Sequence, residues 1–226
     1  MGLHVGDDPL LVRRRRKALA RLIGRDVVWM DQTHSTRVEV VARVEGAPRL
    51  AGALSSLEAP APGEWGPVGA DGIVIDARGW AGAPGLAVQT ADCLPVVLAA
   101  DGGRVVAAVH AGRRGLLGGI LTRAVDAIRE LADGPINALI GPAICGSCYE
   151  VPVQMVRDSE AVMPGIGAVT SWGTPSLDLP RAAAALLADA GVYVEIDPRC
   201  TLEDGGLFSY RADPACGRQA LIIVPA

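Results

Sequence analysis

The sequence predicts an α/β protein of the α+β type, a single layered domain with mixed β-sheets flanked by helices. Half of its 226 residues are apolar, enough for a sizeable core. Strand candidates outnumber helix candidates, and two of them form a hairpin, so strict strand-helix alternation fails and a doubly wound parallel sheet is disfavoured. Neither an internal repeat nor a linker divides the chain, and we therefore expect one domain over residues 1–226.

The first half of the chain predicts one helix followed by several short strands. The helix covers residues 10–23, since Asp8-Pro9 supplies a start signal and Gly24 a stop signal. Its basic run, Arg13 to Lys17, is interpreted as a solvated helix face. Apolar and β-branched runs predict strands over 27–30, 37–41, 72–76, 86–90, 94–100 and 104–110, the last two as a hairpin.

The remaining elements follow from composition and periodicity. The segment from Gly46 to Gly69, interrupted by Pro60 and Pro62, predicts a long surface loop. Apolar residues at helical spacing predict an amphipathic helix over 120–131. Further helices are expected over 151–162 and from Pro180 to Gly191, with strands over 138–141, 192–196 and 220–224.

Charge and composition exclude several classes of function. The net charge of −4 and the 4% aromatic content argue against a nucleic-acid partner. The most apolar stretch, residues 85–111, is interrupted by Asp92, Asp101 and Arg104, so it predicts buried strands and no membrane span. An odd number of cysteines and an acidic start at Asp7-Asp8 favour a cytoplasmic location.

Two histidines and one cysteine stand out as candidates for chemistry. His34 and His110 each lie at the end of a predicted strand. Cys93 directly precedes the first strand of the hairpin that ends at His110, so a turn near Gly102 would bring Cys93 and His110 close together. Two His and one Cys form a three-ligand set with an open fourth position, typical of a catalytic zinc. The alternative is a small buried thiol with ordinary hydrogen-bonded histidines, and spacing alone does not decide between the two.

Two further segments carry potential binding groups. The glycine-rich stretch after His110 contains Arg113 and Arg114, so it could bind phosphate, or its glycines could simply form a turn. Cys145 and Cys148 form a Cys-x-x-Cys motif that could be a redox pair, half of a zinc site completed by Cys200 and Cys216, or ordinary thiols.

Several motifs together resemble one family, that of the bacterial polyphenol-oxidase-type and animal laccase-domain proteins, which are purine nucleoside phosphorylases. The matching segments, in chain order, are Gln32-Thr33-His34-Ser35, Thr90-Ala91-Asp92-Cys93-Leu94-Pro95, His110 to Gly115, Ile140-Gly141-Pro142, Cys148-Tyr149-Glu150-Val151, Leu207-Phe208-Ser209-Tyr210-Arg211 and Gly217-Arg218. Departures from the family pattern include Ser35, Arg113 and Cys145. The chain also begins without the strand and Arg-Gly-Gly segment usual in the family, which we expect to affect substrate binding.

The resemblance implies that His34, Cys93 and His110 bind zinc, with copper as the alternative metal. It implies phosphorolysis of adenosine, inosine, guanosine and methylthioadenosine, with a purine nucleoside and phosphate as substrates and adenosine deamination as a side activity. Asp92 could then handle protons or orient a ligand, and Arg114 with Arg113 could bind phosphate.

Two rival activities use the same residues. In a cysteine hydrolase acting on peptidoglycan precursors, Cys93 would be the nucleophile and His110 its base. A mononuclear copper polyphenol oxidase would use the same two His and one Cys, whereas a multicopper oxidase needs far more than the three histidines of this chain. The sequence does not determine the oligomeric state.

Overall fold

The computed structural model of the protein describes residues 2–3, 5–44, 47–51, 57, 59 and 61–226. In these ranges the helices and strands follow in this order: α1 (Pro9–Ile23), β1 (Val27–Met30), β2 (Val38–Val44), β3 (Ala47–Leu50), β4 (Glu64–Val68), β5 (Gly72–Asp76), β6 (Gly85–Thr90), β7 (Leu94–Ala100), β8 (Val105–Ala111), α2 (Arg113–Leu117), α3 (Ile120–Leu131), β9 (Asn137–Ile140), α4 (Val153–Val162), β10 (Gly167–Val169), β11 (Pro175–Leu177), α5 (Leu179–Asp189), β12 (Tyr193–Ile196) and β13 (Gln219–Ile223). None of the helices in the described ranges is long and apolar enough to cross a membrane.

Two mixed sheets stack on each other, and helices cover their outer faces. The larger sheet has the strand order β12-β9-β7-β8-β5-β2-β3, and the smaller has the order β13-β6-β1-β4. One core lies between the sheets, a second lies between the larger sheet and helices α2, α3 and α5, and a smaller third lies between β1, β6 and α1. This arrangement confirms the predicted class, a layered domain with mixed sheets flanked by helices.

The central strands are apolar throughout because both of their faces are buried. In β8 the side chains of Val105 and Ala107 belong to the helix-side core, whereas those of Val106 and Ala108 belong to the core between the sheets. Such strands lack the polar alternation of a half-exposed strand. The predicted hairpin is confirmed, since β7 and β8 pair antiparallel along their whole length.

The predicted helix boundaries rest on capping residues that the structure confirms. Asp8 accepts a hydrogen bond from the backbone N–H of Leu10, and Gly24 ends α1 in the left-handed conformation. Asp178 caps α5 by accepting from the backbone N–H of Arg181. Helix α3 buries its apolar stripe against the larger sheet.

The predicted surface loop between Gly46 and Gly69 was wrong in part. It contains β3, which pairs antiparallel with β2, and β4, which pairs parallel with β1. Both are edge strands, where a proline such as Pro48 or Pro67 costs few ladder hydrogen bonds. Gly46 and Pro60 lie outside the described residues.

The solvated helix face predicted for Arg13 to Lys17 was also wrong at one position. Arg16 is only 5% exposed, since it shares the inward face of α1 with Val12 and Ala20. Its guanidinium lies 3.9 Å from the ring centre of Trp29 and 3.5 Å from the buried carboxylate of Glu64. The ion pair therefore joins α1 to β4 inside the protein.

We expect Arg16→Ala to lower the free energy of unfolding by roughly 2 kcal/mol, because Glu64 loses its buried cationic partner and keeps only the half-buried Arg13, 3.7 Å away. The exposed Arg14→Ala is the matched control and should change it by less than about 0.5 kcal/mol. Urea unfolding of the two variants measures both values. Equal, small losses would show that the buried pair contributes nothing to stability.

Candidate metal centre and its cavity

The structure brings together the three residues that the sequence singled out as metal ligands. Nε2 of His34 lies 3.6 Å from Sγ of Cys93, and the rings of His34 and His110 meet edge to face with centres 4.7 Å apart. One donor atom from each of the three residues lies within 4.8 Å of the other two. His110 is buried, Cys93 is half-buried and His34 is exposed, so the cluster opens on one side.

Strand register accounts for the approach of Cys93 to His110. Leu94 pairs with Ala111 and Pro95 pairs with His110. Cys93, which directly precedes β7, therefore lies beside the C-terminal end of β8. His34 comes from the segment between β1 and β2. It has a φ of 60°, a left-handed conformation that a residue other than glycine adopts only when its surroundings hold it there.

A buried carboxylate holds that segment. Asp71 is fully buried directly before β5. It accepts hydrogen bonds from the backbone N–H groups of Thr33, His34 and Ser35 and from the Ser35 hydroxyl. Its Oδ1 also lies 2.8 Å from Nδ1 of His110. Asp71 therefore orients two of the three candidate ligands and leaves Nε2 of His110 for the cluster.

The glycine-rich segment after β8 serves close packing. A Cβ on Gly112 would lie 2.6 Å from Cδ2 of His34 and 3.1 Å from Sγ of Cys93. A Cβ on Gly118 would lie 2.6 Å from the Thr36 side chain. These glycines let α2 approach the segment that carries His34. Close packing by itself therefore accounts for the glycine-rich sequence after His110, and no bound phosphate is needed to explain it.

The electrostatics of the cluster favour a thiolate next to an imidazolium when no metal is bound. Burial would raise the pKa of Cys93, but hydrogen bonds with His110 and His34 outweigh it and lower that pKa to about 6. Burial would lower the pKa of His110, yet hydrogen bonds to Asp71 and Cys93 raise it to about 9. Burial would raise the pKa of Asp71, but hydrogen bonds from His110 and Ser35 outweigh it and hold the carboxyl pKa well below its usual range.

The cluster lies on the wall of a cavity of about 550 Å³, a size typical of small-molecule sites. The other lining residues are Gln32, Gln89, Thr90, Ala91, Asp92, Arg113, Ile144, Tyr149, Leu179, Tyr210, Arg211 and Arg218. Three of them are arginines, whereas Asp92 is the one carboxylate among the lining residues. The wall is therefore suited to an anionic ligand beside a metal.

Asp92 connects three parts of the cavity wall. Its Oδ1 accepts from the Thr201 hydroxyl at 2.7 Å, and its Oδ2 accepts from the backbone N–H of Arg211 at 2.7 Å. Its carbonyl oxygen accepts from the backbone N–H of Ile144. Because both carboxylate oxygens already accept hydrogen bonds, the geometry favours a positioning role for Asp92 over proton transfer.

The two arginines singled out in the sequence lie in different environments. Arg113 lines the cavity, whereas Arg114 is exposed and is not among the lining residues. Asp71, Arg211 and Arg218 were not predicted to be site residues. A carboxylate directly before the apolar run Gly72 to Ile75 was a usable signal for Asp71. The two arginines lie in the C-terminal segments that resemble the family's motifs, and that resemblance was the usable signal for them.

Comparisons with known proteins agree with this architecture. A Neisseria meningitidis protein of known structure superposes with a TM-score of 0.78 at 36% identity, covering 100% of this chain and 86% of that one. YlmD from Geobacillus stearothermophilus gives 0.78 at 32%, covering 100% and 84%.

Sequence relatives carry names that state an activity. A Streptomyces griseus protein named purine nucleoside phosphorylase is 43% identical over 97% of this chain and 84% of its own length. A Corynebacterium glutamicum purine nucleoside phosphorylase is 42% identical over 99% and 85%. Relatives of this kind support an enzyme. The family model described as multi-copper polyphenol oxidoreductase laccase matches residues 1–226, and the chain belongs to that family.

Proposed function

We propose that this protein is a zinc-dependent purine nucleoside phosphorylase whose metal is held by His34, Cys93 and His110. The observation that carries the proposal is the meeting of these three donors on the wall of an arginine-lined cavity. The reaction breaks the N-glycosidic bond of a nucleoside such as inosine, adenosine, guanosine or methylthioadenosine. A phosphate oxygen bonds to C1 of the sugar, and the purine leaves with a proton on the nitrogen that held the sugar.

The donor set fits zinc. One thiolate and two imidazole nitrogens are ligands that zinc prefers, and three protein ligands with one open position characterise catalytic zinc sites. Asp71 supports the set as carboxylates commonly support ligating histidines, by accepting from Nδ1 of His110. When bound, zinc supplies a Lewis acid beside the cavity. A single copper ion accepts the same donors, so metal analysis has to identify the metal.

The chain itself supplies the anion site. Arg113, Arg211 and Arg218 line the cavity, and guanidinium groups bind phosphate through paired, charge-assisted hydrogen bonds. The guanidinium of Arg211 is oriented by its hydrogen bond to the carbonyl oxygen of Glu150, at 2.9 Å. In this proposal Arg113 and Arg211 hold phosphate for attack on the sugar, while the exposed Arg114 contributes at longer range.

Other apolar and polar groups in the cavity wall suit a purine. Ile144, Leu179 and the ring of Tyr210 offer surfaces against which a flat base can pack. Within the described part of the chain, the buried side-chain oxygens of Gln89 and Thr90 have no hydrogen-bond partner. Unpaired buried polar atoms beside a cavity are expected where a ligand supplies the partner.

Tyr149 adds a neutral hydroxyl to the same cavity. Burial and the nearby Cys93 raise the pKa of its phenol, while the neighbouring arginines oppose the shift less strongly. The hydroxyl therefore stays protonated at neutral pH and can donate a hydrogen bond to phosphate or to the sugar.

One observation favours a second candidate, the cysteine hydrolase. The metal-free cluster pairs a Cys93 thiolate with a protonated His110, which is how a nucleophilic cysteine is activated. The two candidates differ in what the metal does. A phosphorylase needs the metal, whereas in the hydrolase the metal would occupy the nucleophile and inhibit it.

We expect purified protein to hold about one zinc per chain in this cluster, and His34→Ala, Cys93→Ala and His110→Ala each to lose it. Phosphate-dependent release of hypoxanthine from inosine should fall more than about 100-fold in each variant. Chromatography of the products from adenosine separates phosphorolysis from deamination.

Chelator and alkylating agent together distinguish the two candidates in the unmodified protein. The phosphorylase loses activity with chelator and regains it with zinc, and bound zinc protects Cys93 from alkylation. Metal-free protein that turns over a substrate and is inactivated by alkylation of Cys93 would overturn the proposal in favour of the hydrolase.

We expect Gly112→Ala to weaken zinc binding by about tenfold or more, because the new Cβ would press on His34 and Cys93. Gly69→Ala is the matched control, since a Cβ there meets no atom within 4 Å. Competition with a chromophoric chelator measures both affinities. Unchanged zinc affinity in Gly112→Ala would show that these two residues do not hold the metal.

We expect Arg113→Ala to raise the KM for phosphate about 10-fold to 100-fold, as the loss of a charge-assisted hydrogen bond predicts. The neighbouring Arg114→Ala, which removes the same charge outside the cavity wall, should raise it by less than about threefold. Initial rates at saturating inosine measure both. Equal effects would show that phosphate does not contact Arg113.

A further inference from the structure

A second cluster of potential metal ligands lies behind the cavity. Cys145, Cys148, Cys200 and Glu203 each place one donor atom within 4.8 Å of the other three. Cys148 and Cys200 are 3% and 5% exposed, Cys145 is half-buried and Glu203 reaches the surface. Of the partners considered from the sequence, Cys200 joins the Cys-x-x-Cys pair, whereas Cys216 does not belong to the cluster.

We propose that Cys145, Cys148, Cys200 and Glu203 form a second, structural metal site for zinc or a similarly thiophilic divalent cation. Three sulfurs and one carboxylate oxygen complete a four-ligand set, which is the closed arrangement of structural zinc. Ligands at about 2.3 Å in a tetrahedron lie roughly 3.8 Å apart, so the donors need to move inward by about 1 Å or less. The inference does not depend on the proposed phosphorylase activity.

The local backbone already supports such a site. Residues 145–148 form a tight turn in which the N–H groups of Cys148 and Tyr149 both donate to the carbonyl oxygen of Cys145. The backbone N–H of Cys145 donates to Sγ of Cys200 at 3.3 Å, a contact that holds the two segments together. The thiol of Cys148 points at Oε1 of Glu203, 3.4 Å away.

A cluster of ordinary buried thiols explains these contacts less well. Small buried cysteines need only apolar neighbours, and Ile144 and Leu202 do pack here. Apolar neighbours do not account for the carboxylate of Glu203, one oxygen of which lies within 4.8 Å of all three sulfurs. A cation bound between them would use all four groups.

The position of the cluster gives the metal a structural task. Ile144, next to Cys145, donates its backbone N–H to the carbonyl oxygen of Asp92, and Thr201, next to Cys200, donates its hydroxyl to the Asp92 carboxylate. Apart from the single bridge between Ala143 and Cys200, these two segments do not share a sheet. A shared metal would tie them together directly behind the residue that precedes Cys93.

The test counts metal in a chain whose first cluster is removed. We expect metal analysis by mass spectrometry to find about two zinc ions per unmodified chain and one in His34→Ala/His110→Ala. Adding Cys148→Ser to that double variant should remove the remaining ion, whereas adding Cys216→Ser, the matched cysteine control, should not. Reconstitution with cobalt in the double variant should give the intense near-ultraviolet absorption of cobalt-thiolate bonds.

A milder variant guards against loss of folding. Glu203→Gln changes one exposed side chain, and in the His34→Ala/His110→Ala background it should weaken the remaining zinc by about tenfold or more in a chelator competition. Absence of any metal from the folded double variant would overturn the proposal. So would a Cys145–Cys148 disulfide found by peptide mass mapping in metal-free protein, which would assign the pair to redox chemistry.

Discussion

The buried carboxylate of Asp71 is the interaction on which the candidate site depends. An isolated carboxylate would pay several kcal/mol for leaving water, and here backbone amides, a hydroxyl and an imidazole satisfy it. Those same hydrogen bonds hold His34 in a left-handed backbone conformation and turn His110 toward the cluster. One side chain therefore couples the segment after β1 to the end of β8.

This coupling works because two stacked sheets fix the distances. The hairpin of β7 and β8 runs through the centre of the larger sheet with both faces buried, so its register cannot shift without exposing apolar side chains. That register places Cys93 beside His110. The glycines at 112 and 118 then allow α2 to lie against the segment that carries His34, where any side chain at those positions would collide with it.

The segments that form the cavity wall meet at two junctions. Apart from Arg113 at the start of α2, the arginines and tyrosines of the wall come from segments that have little regular structure, and hydrogen bonds to Asp92 join three such segments at one point. Behind them, the cluster of Cys145, Cys148, Cys200 and Glu203 offers a second junction. Irregular segments of this kind gain precise positions from such junctions rather than from a ladder of backbone hydrogen bonds.

Local signals in the sequence determined much of this protein. Caps at Asp8 and Asp178, the amphipathic stripe of α3 and the apolar runs of the central strands were sufficient to predict those elements, because each depends on nearest neighbours along the chain. The two histidines and Cys93 could be selected because polar, metal-binding side chains at the ends of buried strands are unusual. The edge strands β3 and β4 escaped prediction, since their prolines and glycines resemble a loop until a partner strand pairs with them.

Only the tertiary structure decided which distant residues meet. Asp71 lies 39 positions from His110, and Arg211 lies 119 positions from Asp92, so no periodicity or spacing connects them. The same holds for Arg16, whose burial depends on Glu64 of another element, and for Glu203, which takes the place that a fourth cysteine would have filled. Local patterns indicate which helix or strand a segment can form. The partners of a buried charge or a thiol depend instead on how the whole chain packs.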